Sequence, residues 1–426
     1  MKRGALLVCH DCDLMQRAGP CPPRGTLRCL RCGAELERDQ PESLRRALAF
    51  GLGALVLFVI SNLYPIVGLA VNGNIVRTTL WHAVEILYLD GMWPIAALVF
   101  ATTILMPALQ IVCLLALLVP LALNRTPRQA PLLFRMMYAA RPWGMTEVLI
   151  LGLLVALVKL AHIATVVAGV ALWSFSALML VLAGASAAFD ARQFWSRVAS
   201  APLLAKPPEA PGTDRARARG ALTGAACGIA HCHACGLLAR MPAGEHAVVC
   251  PRCGSALHLR KVASLSRTWA FLMAAIALYV PANVLPVMDT SSLFGTQKDT
   301  IMSGVVYLWV SGSWPLALLV FIASIVVPIV KILGLSYLAW STQRGSKWLP
   351  GQRTRIYRLI ELIGRWSMLD IYVITMLVAL VQFKALATIK AGPAAIAFGA
   401  VVILTMFAAN VFDPRLIWDA VEREDG

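Results

Sequence analysis

Eight of the eleven cysteines fall into four Cys-x-x-Cys pairs: Cys9/Cys12, Cys29/Cys32, Cys232/Cys235 and Cys250/Cys253. Two sulfurs three residues apart stand on one side of a tight turn. Two such turns facing each other offer four thiolates in a tetrahedron, the set that zinc takes at about 2.3 Å. The first two pairs are separated by 16 residues, inside the usual zinc-site range, and the last two by 14, just short of it. Gly33, Gly236 and Gly254 follow three of the turns and suit a positive φ; the first turn, CHDCD, has Asp13 there and is expected to be looser. The segments 1–40 and 227–260 are too short to bury a core of their own, so the metal must supply their folding energy. The expectation is two zinc ribbons with one Zn2+ each. Iron on the same ligands and a redox dithiol are the alternatives, whereas disulfides are disfavoured in a reducing cytosol. Cys21, Cys113 and Cys227 read as inert thiols, and His231, His233 and His246 as secondary candidate ligands.

The elements that hold these ribbons are apolar. The 426-residue chain is 59% hydrophobic, 14% charged and has a mean hydropathy of +0.73, which excludes an ordinary soluble domain. Runs long enough to cross a hydrocarbon layer of roughly 30 Å lie at 46–69, 94–123, 146–167 and 169–190, and again at 266–287, 315–340, 369–390 and 393–412. The amino terminus, MKRGALLVCHDC, has no secretory-signal core. The net charge of +16 does not indicate nucleic acid, because the arginines and lysines gather on one side of the spans. Arg45 and Arg46 precede the first span, Arg125 to Arg141 lie between the second and third, and Arg192 to Arg219 follow the fourth. Segments 70–93 and 288–314 carry only Arg77 and Lys298. The positive-inside rule then puts both termini, the linker and both ribbons on the cytoplasmic side of the membrane.

The halves repeat at an offset of 221 to 223 residues. Asn62 and Pro65 match Asn283 and Pro286, Trp93-Pro94 matches Trp314-Pro315, and Pro107 matches Pro328. LVALV at 154–158 recurs at 377–381, and Phe189-Asp190 recurs as Phe412-Asp413. An even number of spans per copy makes the repeats parallel. The expected fold is an all-α polytopic membrane protein of two parallel four-helix modules, 41–198 and 261–426, each preceded by a small β-rich zinc ribbon, with 199–226 as linker.

An ionisable side chain inside a span costs at least about 2.5–3.5 kcal/mol unless it finds a partner, which makes each a candidate functional position. These are Lys159, Lys331 and Lys384, with Glu147 and Asp370 near the inner ends of spans three and seven. Snorkelling is the plain alternative for all of them but Lys331, whose depth leaves no short route to either surface. A buried network of Lys331 with Asp370, extended by Gln382, is the expectation. Pro107 and Pro328 interrupt the second span of each module and predict a kink there, as a fixed bend or a hinge.

The duplicated CxxC ribbons, SNLYP with its partner ANVLP, GMWP with GSWP, and the repeated LVALV resemble the paraquat-inducible protein A family, which includes the LetA-type inner-membrane proteins. That resemblance covers nearly the whole chain. It implies a partner of a mammalian-cell-entry (MCE) domain protein that forms a tunnel across the periplasm, the pair moving phospholipids between the inner and outer membranes. The alternatives are a small-molecule or ion transporter, which calls for more carboxylates near the midplane, and a membrane redox protein using the ribbons. No Walker A, HExxH or Ser-His-Asp constellation points to an enzyme.

Overall fold

The computed structural model describes residues 6–19, 25–38, 40, 42–71, 74–89, 91, 93–141, 165–198, 223–242, 244, 247–292, 295–312, 314–364, 382–383 and 387–422. Its helices are α1 (Ser43–Leu63), α2 (Leu80–Leu89), α3 (Trp93–Ala122), α4 (Ala130–Ala140), α5 (Val170–Ala188) and α6 (Ala191–Val198) in the first half. The second half has α7 (Ser264–Val284), α8 (Ile301–Val310), α9 (Trp314–Phe321 running through Ile322–Val326 into Val327–Gln343), α10 (Pro350–Gly364), α11 (Pro393–Val411) and α12 (Leu416–Glu422). Six of these, α1, α3, α5, α7, α9 and α11, are long and apolar enough to cross a membrane, so the chain is a multi-pass membrane protein. Their unburied faces carry bare aliphatic side chains such as Leu52, Val56, Val59, Met273 and Val280, as a helix facing lipid requires.

The halves repeat element by element. In each, the first long helix ends at an Asn whose side-chain amide donates to the carbonyl four residues back, Asn62 to Phe58 and Asn283 to Tyr279, both at 2.8 Å. A β-hairpin follows, β5 (Val67–Val71) with β6 (Asn74–Thr78), or β12 (Met288–Ser292) with β13 (Gly295–Asp299). A later strand joins it, β7 (Thr165–Ala168) on β5, or β15 (Ala387–Ala391) on β12, the latter extended by β14 (Gln382–Phe383). Gly169 and Gly392 then turn the chain into α5 and α11. A Cβ on either would sit 2.1 or 2.2 Å from the carbonyl oxygen of Pro65 or Pro286, so only glycine fits.

These sheets correct the expected all-helical modules. The spans expected at 146–167 and 369–390 lie mostly outside the described residues, but their outer ends, 165–167 and 387–390, are strand. The first span also stops at Leu63, short of 69. The reason is physical: a short apolar run rich in Thr, Val and Ile suits strand as well as helix, and a neighbouring hairpin decides by offering an edge to pair with.

Both prolines sit directly after a π-helical turn, Ala101–Leu105 before Pro107 and Ile322–Val326 before Pro328. Met106 and Val327 donate five residues back, to Ala101 and Ile322. The widened turn absorbs the missing proline N–H. Thr102 and Thr103, buried in the first π turn, donate to carbonyls of the preceding turn, as Ser324 does in the second.

The ribbons are two pairs of short hairpins. Ribbon 1 holds β1 (Leu6–Val8) with β2 (Met15–Arg17) and β3 (Thr26–Arg28) with β4 (Glu35–Arg38). Ribbon 2 holds β8 (Ile229–His231) with β9 (Leu238–Arg240) and β10 (Val248–Val249) with β11 (Ala256–Leu257). Each ribbon precedes one helical half in sequence and packs on the other. Cys9, Cys12, Cys29 and Ala34 of ribbon 1 share a core with Leu335, Tyr357, Phe412, Ile417 and Trp418 of the second half. Cys232, Cys235, Cys250, Cys253 and Leu257 of ribbon 2 share one with Leu117, Phe134, Phe194 and Trp195 of the first.

Repeat-equivalent arginines fasten the crossing. Arg135 of α4 donates to the Gly254 carbonyl at 3.2 Å, and Arg358 of α10, 223 positions on, donates to the Cys32 carbonyl at 3.2 Å. Arg358 also donates Nε to Asp11 Oδ2 at 2.7 Å, and Asp11 is buried. Replacing Arg358 by Ala strands that carboxylate and is expected to cost about 1–3 kcal/mol, while Arg135→Ala costs less. Denaturant unfolding checks the difference, and Asp11→Ala with Arg358→Ala must be non-additive; additivity would mean that the contact does not hold the ribbon.

Candidate functional site

Each ribbon closes around four sulfurs. Cys9, Cys12, Cys29 and Cys32 form one group, and Cys232, Cys235, Cys250 and Cys253 the other, with all sulfurs of a group within 4.8 Å of one another. Cys9–Cys32 and Cys12–Cys29 lie at 3.5 Å, Cys232–Cys253 at 3.5 Å and Cys235–Cys250 at 3.7 Å. A tetrahedron with bonds of about 2.3 Å has edges near 3.8 Å, so either cluster can hold a metal ion. All ten described cysteines are free thiols.

The turns explain the geometry. In each, the residue after the second Cys donates its amide to the carbonyl of the first: Asp13 to Cys9, Gly33 to Cys29, Gly236 to Cys232, Gly254 to Cys250. All four are left-handed, with φ of 61° at Asp13 and 70° to 71° at the glycines. Asp13 tolerates that conformation and gains by it. Its carboxylate accepts from Arg260 at 2.8 Å and from the Ala225 amide at 2.9 Å, and Arg260 also holds Asp419 of α12 at 2.7 Å. The first turn is therefore braced, which corrects the expectation of a looser knuckle.

Crowding four thiols makes their protons unequal. Hydrogen bonding from Cys12 holds Cys29 below the usual thiol range, and bonding from Cys232 does the same for Cys253. Hydrogen bonds to their cluster neighbours and burial push Cys12 and Cys235 up. Four sulfurs this close ionise together only around a cation, so metal binding would release protons. His231 and His233 belong to neither sulfur group. Burial first, then neighbouring positive charge, including that of Arg415, holds both imidazoles down at about 3. His246 lies outside the described residues.

Among the expected membrane-depth groups, Lys331 is enclosed. On α9 it is 1% exposed and donates from Nζ to Thr405 Oγ1 of α11 at 2.9 Å. Thr405 donates onward to the Val402 carbonyl at 3.0 Å. A Cβ on Gly364, at the end of α10, would lie 3.8 Å from Nζ, in ordinary contact, so the end of α10 packs beside the amine. Gln110, the counterpart of Lys331, bridges the equivalent helices α3 and α5 by donating to Ser186 Oγ at 3.0 Å.

Asp370, Glu147, Lys159 and Lys384 lie outside the described residues. Gln382 is in strand β14, at the sheet end of the molecule, which corrects its placement inside a span. Sequence reasoning missed Thr405, because a lone Thr on an apolar helix looks like core. It also missed the roles of Arg135, Arg358 and Arg260, although Arg135 and Arg358 stand at the repeat spacing.

A sequence model described as paraquat-inducible protein A matches residues 44–199 and again 265–422. The chain belongs to the paraquat-inducible protein A family. The two matched stretches are the two helical halves, so the family pattern itself occurs twice. Among its relatives, the "Intermembrane transport protein PqiA" of Escherichia coli K12 is 34% identical over 416 residues, covering 97% of this chain and 95% of the relative. The "Lipophilic envelope-spanning tunnel protein A" of the same strain is 31% identical, covering 99% and 93%. A "Probable intermembrane transport protein" of Haemophilus influenzae is 28% identical, covering 98% and 97%. No solved structure matches.

Two outcomes follow from this geometry. Cys232→Ser is expected to lose one of the two bound metal equivalents and to open ribbon 2 to maleimide while ribbon 1 keeps its ion, measured by elemental analysis of purified protein. Lys331→Leu is expected to abolish transport while leaving the thermal midpoint unchanged or raised, since it removes a buried amine and leaves Thr405 bonded to its own helix. Intermembrane transport compared with thermal unfolding tests this, and full transport in the variant refutes it.

Proposed function

We propose that the protein is the inner-membrane component of an intermembrane phospholipid transport system, passing lipid between the bilayer and a periplasm-spanning MCE-domain tunnel partner. The observation that carries this reading is Lys331, a primary amine enclosed in an apolar helical bundle and held by a single hydroxyl. Such an amine is costly to keep in hydrocarbon unless it serves a ligand or a charge partner, and a phosphate headgroup is the ligand that a bilayer offers. Asp370, Lys159, Glu147 and Lys384 are proposed as further members of the polar path. The relatives named for intermembrane transport and for an envelope-spanning tunnel support the same reading.

Both ribbons and both termini are assigned to the cytoplasm, where the arginine-rich ends of the helices lie, and the sheets with α2 and α8 to the periplasm, against the tunnel partner. The ribbons are assigned one Zn2+ each: all-sulfur tetrahedral sites of this size suit zinc, and no opening for substrate is needed in a structural site. Zinc there would close each hairpin pair and so hold the arginine-fastened platforms of the two halves together. The π turns before Pro107 and Pro328 are proposed as the points at which α3 and α9 yield when lipid passes.

Photocrosslinking in cells from positions along α3 and α9 tests the reading. Phospholipid adducts along one connected surface passing Lys331, lost in Lys331→Leu, are the expected result. Adducts confined to the outer perimeter are ordinary annular lipid and would sink it.

A further inference from the structure

Where α3, α4 and α5 meet ribbon 2, the first half carries a groove whose enclosed part measures about 80 Å3. Its walls are mostly apolar, formed by Leu114 of α3, Phe134 and Met137 of α4, and Phe189 just after α5. Gln110, Ser186, Tyr138 and Arg141 add polar side chains. A ligand can reach these groups, for Tyr138 is 41% exposed, Arg141 is exposed, and Gln110 and Ser186 are half-buried. Among the described residues the Arg141 guanidinium has no ion-pair or hydrogen-bond partner. Its charge acts on Tyr138, whose phenol is pushed up by burial and so keeps its proton. Ser186 Oγ accepts from Gln110 at 3.0 Å and has its own proton left to give.

The lining defines the occupant. Among the described residues Arg141 is its one charged group, and no carboxylate lines it. It therefore offers a guanidinium, a phenol and an alcohol as donors, all beside apolar walls. A small anion would leave those walls wet, a hydrocarbon would leave the donors unused, and a fatty acid has acceptors at one end only. We infer that the groove binds one glycerophospholipid of the ribbon-side leaflet. Its phosphate sits on Arg141 and Tyr138, an ester carbonyl on Ser186, and the adjoining methylene groups on Leu114, Met137 and Phe189. A guanidinium grips phosphate through paired N–H donors. At roughly 30 Å3 of liquid volume per water molecule, the enclosed part holds about three groups of that size. It therefore holds the neck of the lipid, while the tails stay in the bilayer.

The second half supplies a contrast. At 223 positions on, Tyr138, Arg141 and Ser186 answer to Glu361, Gly364 and Ala409. All three donors are gone, and a carboxylate, which repels phosphate, stands in place of the phenol. The site therefore belongs to the first half alone, one per chain. Ala234, between Cys232 and Cys235, also lines the groove, so bound lipid touches the knuckle of ribbon 2. The inference does not rest on the transport reading, because a lipid that binds there and never moves satisfies it.

Photolabelling of the full-length protein, delipidated in maltoside micelles, tests it. The probe is phosphatidylglycerol with a diazirine near the top of one acyl chain, and the adducts are mapped by peptide mass spectrometry. Labelling is expected to saturate at one lipid per chain on the peptides of Met137 and Phe189, with none that saturates at their counterparts Ile360 and Phe412. Arg141→Gln should lower it about tenfold or more, the worth of one charge-assisted hydrogen bond. Met137→Trp, which fills the groove from α4, should abolish it. Both variants should keep the two cysteine clusters shielded from maleimide, which shows that the fold is intact. Labelling shared evenly between the halves and indifferent to Arg141→Gln is annular lipid and overturns the inference. So does diazirine-bearing palmitate that labels as strongly as the phospholipid, or displacement of the probe by inorganic phosphate. Failure here leaves the transport reading standing, since that reading is tested at Lys331.

Discussion

In hydrocarbon a polar group has no water to fall back on, and that constraint sets the arrangement of this protein. Polar side chains at depth find their partners in helix carbonyls or in polar groups on a facing helix. Asn62 and Asn283 cover carbonyls at the last turn of α1 and α7, and Thr102, Thr103 and Ser324 cover those freed around the π turns. Tyr279 of α7 reaches the Ile325 carbonyl of α9, and two side-chain pairs also bridge helices at depth: Gln110 with Ser186 and Lys331 with Thr405. Both join the same pair of helices within their half, so the register of α3 on α5 and of α9 on α11 is fixed by polar bonds as well as by packing. The sheets at the far end follow the same rule, since paired strands leave fewer bare amides where the chain turns back toward the membrane.

The halves have diverged at one of these bonds. Gln110 is neutral and satisfied by a serine; Lys331 is an amine in the same helical setting, satisfied by a threonine. The asymmetry is local, for the aromatic platforms beneath the ribbons are conserved in place, Phe134, Phe189, Phe194 and Trp195 answering to Tyr357, Phe412, Ile417 and Trp418.

Crossed docking of the ribbons turns two modules into one body. The four-cysteine cluster at the amino terminus supports the second bundle, and the cluster in mid-chain supports the first. The fastening is charge-assisted and partly buried, through Asp11 with Arg358 and Asp13 with Arg260 and Asp419, where such bonds are stronger than their surface counterparts. Opening either cysteine cluster is therefore felt in the opposite half of the molecule.

The sequence by itself determined the thiol clusters, the left-handed glycines after them, the duplication, the long spans and the interior lysine, because each is a local property: spacing around a turn, a run of apolar residues, a charge within it. Even the prolines were legible, although the π turns that precede them were not. Tertiary structure alone decided which strand edges capture 165–168 and 387–391, which half each ribbon sits on, that Asp13 braces its turn through Arg260, and that Thr405 meets Lys331. These depend on partners up to several hundred residues away. A short apolar run, an arginine or a threonine has the same appearance in sequence whether its partner is lipid, water or a distant side chain, and only the folded chain brings that partner within bonding distance.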